Sequence, residues 1–227
     1  MPAWSEEFGE ADYLAALAEL ADRPGESFSI YTHLPFCAEL CTYCGCNATV
    51  TRKSSVVDDY LDRVERELNL VLAVLGRGRQ VQQLHWGGGT PNFLNADQRG
   101  RLLGLMRGAF AFDADAEVSL EIDPRIADAA QIQALRAEGF NRISLGVQDF
   151  APEVQEAIGR YQPREKTEEI YAACREAGFD SINLDLVYGL PAQSRERFEA
   201  SVAGLLALRP DRVALYSYAH VPWLRPN

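Results

Sequence analysis

Residues 31–47 read YTHLPFCAELCTYCGCN and hold four of the five cysteines in the chain. Cys37, Cys41 and Cys44 form a C-x3-C-x2-C pattern directly after Phe28-Ser29-Ile30-Tyr31, an apolar run that reads as a strand. Three thiolates on one short loop can hold three irons of a cubane and leave the fourth iron open. Electron-transfer [4Fe–4S] sites mostly use four cysteines, whereas an open metal position can bind a substrate. The competing reading is a zinc knuckle closed by Cys46. Zinc sites usually draw two ligand pairs from well-separated stretches, and four ligands within ten residues would be cramped. A disulfide framework is weaker still, because nothing in the chain looks secreted. Spacing and context favour the cluster.

The composition suits one globular domain. The 227 residues are 47% hydrophobic and 24% charged, with a formal net charge of −11. That charge argues against a nucleic-acid or anionic-membrane surface, since both need a basic footprint. No apolar run approaches the length of a membrane span, and the start, MPAWSEEFGE, is acidic where a signal peptide needs basic residues. The expectation is a soluble, cytoplasmic protein whose thiols stay reduced.

Outward from the cysteine loop the chain alternates. Strand-like runs are expected at 28–34, 81–86, 117–122, 142–147, 182–188 and 212–218. Helical patterns separate them at 56–75, 96–109, 127–137, 152–158 with 164–177, and 194–208, after a leading helix over 8–20. In the helix at 56–75, Tyr60, Leu61, Val64, Leu68, Val71, Leu72 and Leu75 fall on one face, and Asp58 and Asp59 read as first-turn acids favoured by the macrodipole. Near-continuous apolar strands, each followed by a helix, fit a parallel sheet covered on both faces. Six units are too few for a closed eight-stranded barrel. The expected fold is α/β, a six-stranded parallel (β/α)6 partial TIM-like barrel. Residues 1–27 form a short helical lead-in and 28–227 the core domain.

In parallel β/α folds, functional residues gather at the C-terminal ends of strands. After the first strand comes the cysteine loop, and after the second GGGTP at 87–91. The third ends on Glu121 in SLEIDP, the fourth on Gln148 in GVQDF, the fifth on Asp185 in NLDLVYGLP, and the sixth on YSYAH at 216–220. A Gly-rich turn alone is weak evidence, but bare backbone groups can approach a polar ligand closely. GGGTP lacks the lysine of a phosphate loop. Glu121 and Asp185 interrupt apolar runs, so each needs an ion-pair partner or a ligand. His33, His85 and His220 adjoin strands, where a structural role is the commoner one. Cys174 reads as a small core residue. Arg160 and Arg164 read either as surface charges or as anion clamps.

Taken with QLHWGGGTPNFL, EGFNRISLGVQDF and YSYAHVP, these stretches resemble the radical S-adenosylmethionine (SAM) superfamily, and within it the oxygen-independent coproporphyrinogen III oxidases of haem biosynthesis. The added cysteine in CGCN, with HWGGGTP and GVQDF, points to that branch. The resemblance implies that Cys37, Cys41 and Cys44 bind a [4Fe–4S] cluster, with Cys46 outside the ligand set. It implies that Tyr31, Gly88 and Glu121 contact a cluster-bound SAM. A second SAM would meet Tyr43, Gly89, Thr90, Gln148, Arg160, Asp185 and Ala219. In that family SAM cleavage gives a 5′-deoxyadenosyl radical, and two propionates of the porphyrinogen lose carbon dioxide to give protoporphyrinogen IX. An electron donor such as a flavodoxin or ferredoxin and a monomeric state are also expected, with no nucleic-acid or membrane partner, as the charge and hydropathy suggest. The family's catalytic chains are roughly twice this length, more than one core usually reaches. The expectation is therefore a truncated or minimal core lacking a C-terminal lid. A related haem chaperone that binds SAM and haem, or an inactive core, are the alternatives.

Overall fold

The computed structural model describes residues 7–220. Within it, one sheet carries six strands in the order β1 (Phe28–Leu34), β4 (Gln80–Gly88), β5 (Ala111–Ile122), β6 (Arg142–Gln148), β7 (Ser181–Tyr188) and β8 (Arg212–Ser217). A two-stranded parallel sheet joins β2 (Phe36–Cys37) to β3 (Thr49–Val50). The helices are α1 (Glu10–Ala21), α2 (Ser54–Leu75), α3 (Ala96–Ala109), α4 (Ala129–Ala137), α5 (Pro152–Ala157), α6 (Arg164–Glu176) and α7 (Arg195–Leu208). Neighbours in the large sheet are consecutive large strands of the chain, and every connection between them contains a helix. That is the requirement for parallel pairing, because a parallel partner can only be reached by a crossover. The pairs β5–β6, β6–β7 and β7–β8 are parallel.

The chain divides into two compact units. The first comprises residues up to 30, 53–83 and 96–116. Here α2 buries Val57, Leu61, Val64, Leu72 and Leu75, while Tyr60, Leu68 and Val71 of the expected stripe are half-buried at its edges. The helix starts at Ser54, so Asp58 and Asp59 fall in its second turn and its first turn carries no acid, contrary to the expectation of first-turn acids. Asp58 instead accepts a 2.7 Å hydrogen bond from Gln98 on α3. Arg79 is buried, and its guanidinium donates to the carbonyls of Leu20 and Arg23, which lie at and just beyond the end of α1. Each carbonyl also accepts a local backbone N–H, Leu20 O from Arg23 and Arg23 O from Glu26, and the arginine adds a second, charged donor at the helix end.

The second unit comprises residues 31–52, 84–95 and 117–220 of the described chain. Its core draws on β4, β5, β6 and β7, whereas β8 is mostly exposed. Along β6, Ile143, Leu145 and Val147 are buried, while Ser144, Gly146 and Gln148 between them are only partly covered. The sheet is therefore not apolar on both faces, as the sequence suggested. The alternation places small and polar side chains on one side. Trp86 packs edge-on against Phe140, ring centroids 5.0 Å apart, on the buried side. Val221 and Pro222 of YSYAHVP lie outside the described residues.

Candidate functional site at the strand ends

The cysteine loop is fixed at several points. Pairing of β2 with β3 holds its base, Thr49 N–H donating to Pro35 O at 2.6 Å and Thr51 N–H to Cys37 O at 3.0 Å. Its middle is tied down where Thr42 N–H donates to Ile158 O at 3.0 Å, and Cys44 N–H closes a tight turn onto Cys41 O at 3.1 Å. Cys41 is buried, Cys37 and Cys44 are half-buried, and Cys46 is exposed.

The glycines after β4 lie against this loop. Gly89 N–H donates to Leu34 O at 2.9 Å. A Cβ on Gly89 would stand 2.8 Å from the backbone of Pro35 and Phe36, and one on Gly88 would stand 2.6 Å from the His33 ring. Gly88 also has φ +120°, a conformation that favours glycine. Close approach is the reason for GGG at this point. Thr90 brings its hydroxyl 3.4 Å from Cys37 Sγ, and Gly88 N–H donates to Glu121 Oε2 at 3.2 Å.

These groups open on one cavity of about 630 Å³, a volume typical of small-molecule sites. Cys37, Cys41 and Cys44 line it, as do Tyr43, Gly88, Gly89, Thr90, Glu121, Gln148, Arg160, Asp185 and Ala219. Of the expected site residues only Tyr31 is not on its wall. Tyr31 stacks on His85 at 5.9 Å, and its ring would meet a Cβ on Gly87 at 2.9 Å, beside Glu121 Oε1 at the same distance. The three histidines differ. His85 lies 2.8 Å from Ser119 Oγ and 3.6 Å from Glu121 Oε1, whereas His33 meets Tyr31 Oη and Asn47 O. His220 meets the Tyr218 ring. Arg164, read as a surface charge or a clamp, pairs with Glu168 on the outside of α6.

Each polar group has a traceable environment. Asp185 accepts from Ser144 Oγ at 3.0 Å and Asn183 Nδ2 at 2.6 Å, and no ion pair reaches it among the described residues. Burial pushes its carboxyl up to about 6, and the charge of Glu121 adds to the shift. Burial likewise raises the Cys37 thiol, helped by the Cys44 and Cys41 thiols and Asp123, with the Thr90 hydrogen bond opposing. The Cys46 thiol is raised, first by its hydrogen bond to Cys44. A loop of mutually repelling thiolates calls for a cation among them. Gln148 has φ +68°, unusual for a residue with a Cβ, at a register shift between β6 and β7.

Sequence reasoning missed Asp123 and Arg125, which also line the cavity. Asp123 binds Arg125 at 2.7 Å and Arg160 at 3.1 Å, and is nearly fully buried. Burial pushes its carboxyl up, but the Arg160 and Arg125 guanidiniums outweigh that and hold it below the usual range. The signal was present in SLEIDPR, two residues beyond the Glu121 that was read as the strand end.

Cys37, Cys41 and Cys44 are free thiols of one loop on one cavity wall, a donor set that fits an iron–sulfur cluster, which spreads its thiolates over separate irons.

Comparison with known proteins agrees with the geometry. The chain is 48% identical over 219 residues to an oxygen-independent coproporphyrinogen III oxidase of Escherichia coli, covering 96% of this chain and 47% of that protein. A protein of the same name from Synechocystis is 43% identical over 222 residues, covering 98% of this chain and 47% of its own. The chain thus spans about half the length of the curated relatives it matches. The solved structure of the Escherichia coli coproporphyrinogen III oxidase, described as a radical SAM enzyme, superposes with a TM-score of 0.90 at 46% identity, covering 98% of this chain and 50% of that one. The fold class is the α/β six-stranded parallel partial barrel expected from the sequence. The profile of the radical SAM superfamily matches residues 31–203, and the chain belongs to that superfamily.

Proposed function

We propose that this chain carries the radical-generating site of an oxygen-independent coproporphyrinogen III oxidase. Cys37, Cys41 and Cys44 would hold a [4Fe–4S] cluster, with Cys46 outside the ligand set. Glu121, Gly88 and Tyr31 would face a cluster-bound SAM. Tyr43, Gly89, Thr90, Gln148, Arg160, Asp185 and Ala219 would face a second one. The observation that supports this most is that the three thiols, the GGGTP turn and Glu121 line one cavity although they lie on three different strand ends. When bound, the cluster and SAM together supply a carbon-centred radical able to abstract hydrogen from a propionate side chain.

The chain's own residues would do the positioning. Bare backbone at Gly88 and Gly89 admits a zwitterion against the wall without side-chain interference, and the Glu121 carboxylate offers an acceptor to an ammonium group. Asp185, with two donors already satisfying it and one side open to the cavity, would accept from a hydroxyl or ammonium. Arg125 and Arg160 are the basic residues on the wall, so carboxylate recognition would fall to them. Tyr43, packed on Val154, Ile158, Val187 and Leu190, would supply an apolar face that keeps water from the radical.

The substrate would be a porphyrinogen, two of whose propionates lose carbon dioxide to leave vinyl groups. A low-potential donor such as a flavodoxin or ferredoxin would supply electrons to a monomeric protein of the cytoplasm, with residues 1–27 as lead-in and 28–227 as core domain. Among the described residues no helix is long and apolar enough to cross a membrane.

The test is anaerobic reconstitution of the chain with iron and sulfide, reduction with dithionite, and addition of SAM and coproporphyrinogen III. The expected result is 5′-deoxyadenosine with release of carbon dioxide. Tight zinc without cluster absorption would overturn the radical reading altogether. Deoxyadenosine without carbon dioxide would overturn only the substrate, and haem binding would then be measured.

A further inference from the structure

Two arginines meet at one cysteine. Arg125, in the short 3-10 turn Pro124–Ile126 after β5, places Nη2 3.8 Å from Cys41 Sγ. Arg160, between α5 and α6, places Nη1 3.8 Å from the same sulfur. Both guanidiniums are held by Asp123. Arg125 Nη2 donates to its carboxylate at 2.7 Å and Nε at 3.0 Å, while Arg160 Nη2 and Nη1 donate at 3.1 and 3.3 Å. Arg160 Nη2 is fixed further by Gly146 O at 3.0 Å.

The charges do not cancel. Two guanidiniums and one carboxylate leave a net positive charge, with Asp123 8% and Arg160 7% exposed. An uncompensated buried charge is costly, so the triad needs an anion. Cys41 is itself buried, 7% exposed, and its sulfur is the group to which both arginines turn. Elsewhere on the loop, Cys37 meets the Thr90 hydroxyl, and the Cys46 thiol is bonded to Cys44. Both guanidiniums thus converge on the Cys41 sulfur.

We propose that the Arg125–Asp123–Arg160 triad is an electrostatic clamp on the Cys41 thiolate that raises the reduction potential of the cluster bound there. The clamp rests on the reading of Cys37, Cys41 and Cys44 as cluster ligands. Taking up one electron makes a thiolate-ligated cluster more negative by one charge. A fixed neighbouring cation and N–H donors to a ligand sulfur favour that state, since potentials of these clusters follow net charge and hydrogen bonds to sulfur. Asp123 acts as the positioning residue, because without its carboxylate two like charges would be driven apart.

The experiment is a spectroelectrochemical titration of the reconstituted chain, with no SAM present. Arg125 is the position to vary, because Arg160 is also expected at the second SAM. Arg125→Gln should move the midpoint potential to a more negative value with iron content unchanged. Arg125→Lys should move it less. Arg101→Gln, which removes an exposed arginine paired with Asp62 and Glu65, serves as the control for global charge. A fully loaded Arg125→Gln protein with the wild-type potential, or one shifted no more than Arg101→Gln, would overturn the clamp. Should both Arg125 variants fail to load, wild-type protein labelled with 15N-arginine decides by pulsed electron paramagnetic resonance of the reduced cluster. Coupling to an arginine nitrogen supports the clamp, and its absence overturns it. Wild-type protein that takes up no cluster overturns the ligand reading itself, a result distinct from an unshifted potential.

Discussion

Gln193 donates its side-chain amide to the carboxylate of Asp149 at 2.6 Å, joining the loop after β7 to the end of β6 inside the core. Asp149 is fully buried and also accepts from Ser201 Oγ and the Ala151 amide, each at 2.7 Å. Its own N–H closes a three-residue turn onto Val147 O at 2.9 Å, with Gln148 at the centre and φ +68°. Such a turn is strained, and the hydrogen bonds that follow it hold it in place. Gln148 reaches the cavity because Asp149 is anchored.

Replacing Asp149 with Ala removes the acceptor for one Gln193 amide proton, the Ser201 hydroxyl proton and the Ala151 N–H. Unsatisfied buried polar groups cost about 1–3 kcal/mol each. The variant should lose roughly 3 kcal/mol of stability by urea denaturation.

Gly89→Ala forces a Cβ to within 2.8 Å of backbone at Pro35 and Phe36, which cannot move as a flexible side chain would. Overpacking of this kind costs about 1–3 kcal/mol. The expected outcome is a lower denaturation midpoint and less iron bound after reconstitution. Gly45→Ala, on the same loop with nothing within 4 Å of the new methyl, should match the wild type in both measurements.

Cys41→Ser should abolish cluster retention, read as iron and sulfide per chain. Cys174→Ser should retain the full cluster, because Cys174 lies in α6 away from the cavity. Cys174 is fully buried, so its serine variant should still be less stable by about 1–3 kcal/mol, the cost of an unpaired hydroxyl. Equal loss of iron in both variants would contradict the ligand assignment.

Asp185 makes stability depend on pH. Its carboxyl is raised from 3.8 to about 6 in the folded chain, so the folded state binds the proton more tightly than the unfolded state. The resulting stabilisation is complete below about pH 4 and is lost as pH rises through 6. Asp185→Asn should therefore flatten the pH dependence between 4 and 6 and raise stability at pH 7 by on the order of 2 kcal/mol. Urea titrations at several pH values would show it, and an unchanged slope would mean that Asp185 is not protonated in this range.

Much of the fold is written locally. The stripe on α2 and the glycine and proline stops after β4 and β7 reflect periods that each segment carries alone. Boundaries moved by a few residues. The largest change is at β5, which starts at Ala111 where a strand was expected from 117, because Asp113 and Asp115 obscure its apolar pattern. The β2–β3 pair was not legible, since two residues per strand give no period. For the site, nine of the ten expected cofactor contacts line one cavity with the three cysteines, because strand-end residues of parallel β/α units share a face. Arg164 and Arg160 could not be told apart in AIGRYQPRE. One points outward to Glu168 and the other reaches Asp123, 37 residues away in sequence.

The sequence by itself placed three thiols on one short loop, because their spacing is set by covalent connectivity. It also determined that six β/α units bring their polar strand ends to a common side, because crossover geometry has one hand. Only the tertiary structure decided what surrounds each sulfur. That Cys41 faces two guanidiniums while Cys37 faces a hydroxyl depends on how β5 and the α5–α6 segment pack beside the loop. Such contacts join residues far apart in the chain, where no local period reports them, and burial then multiplies their electrostatic weight.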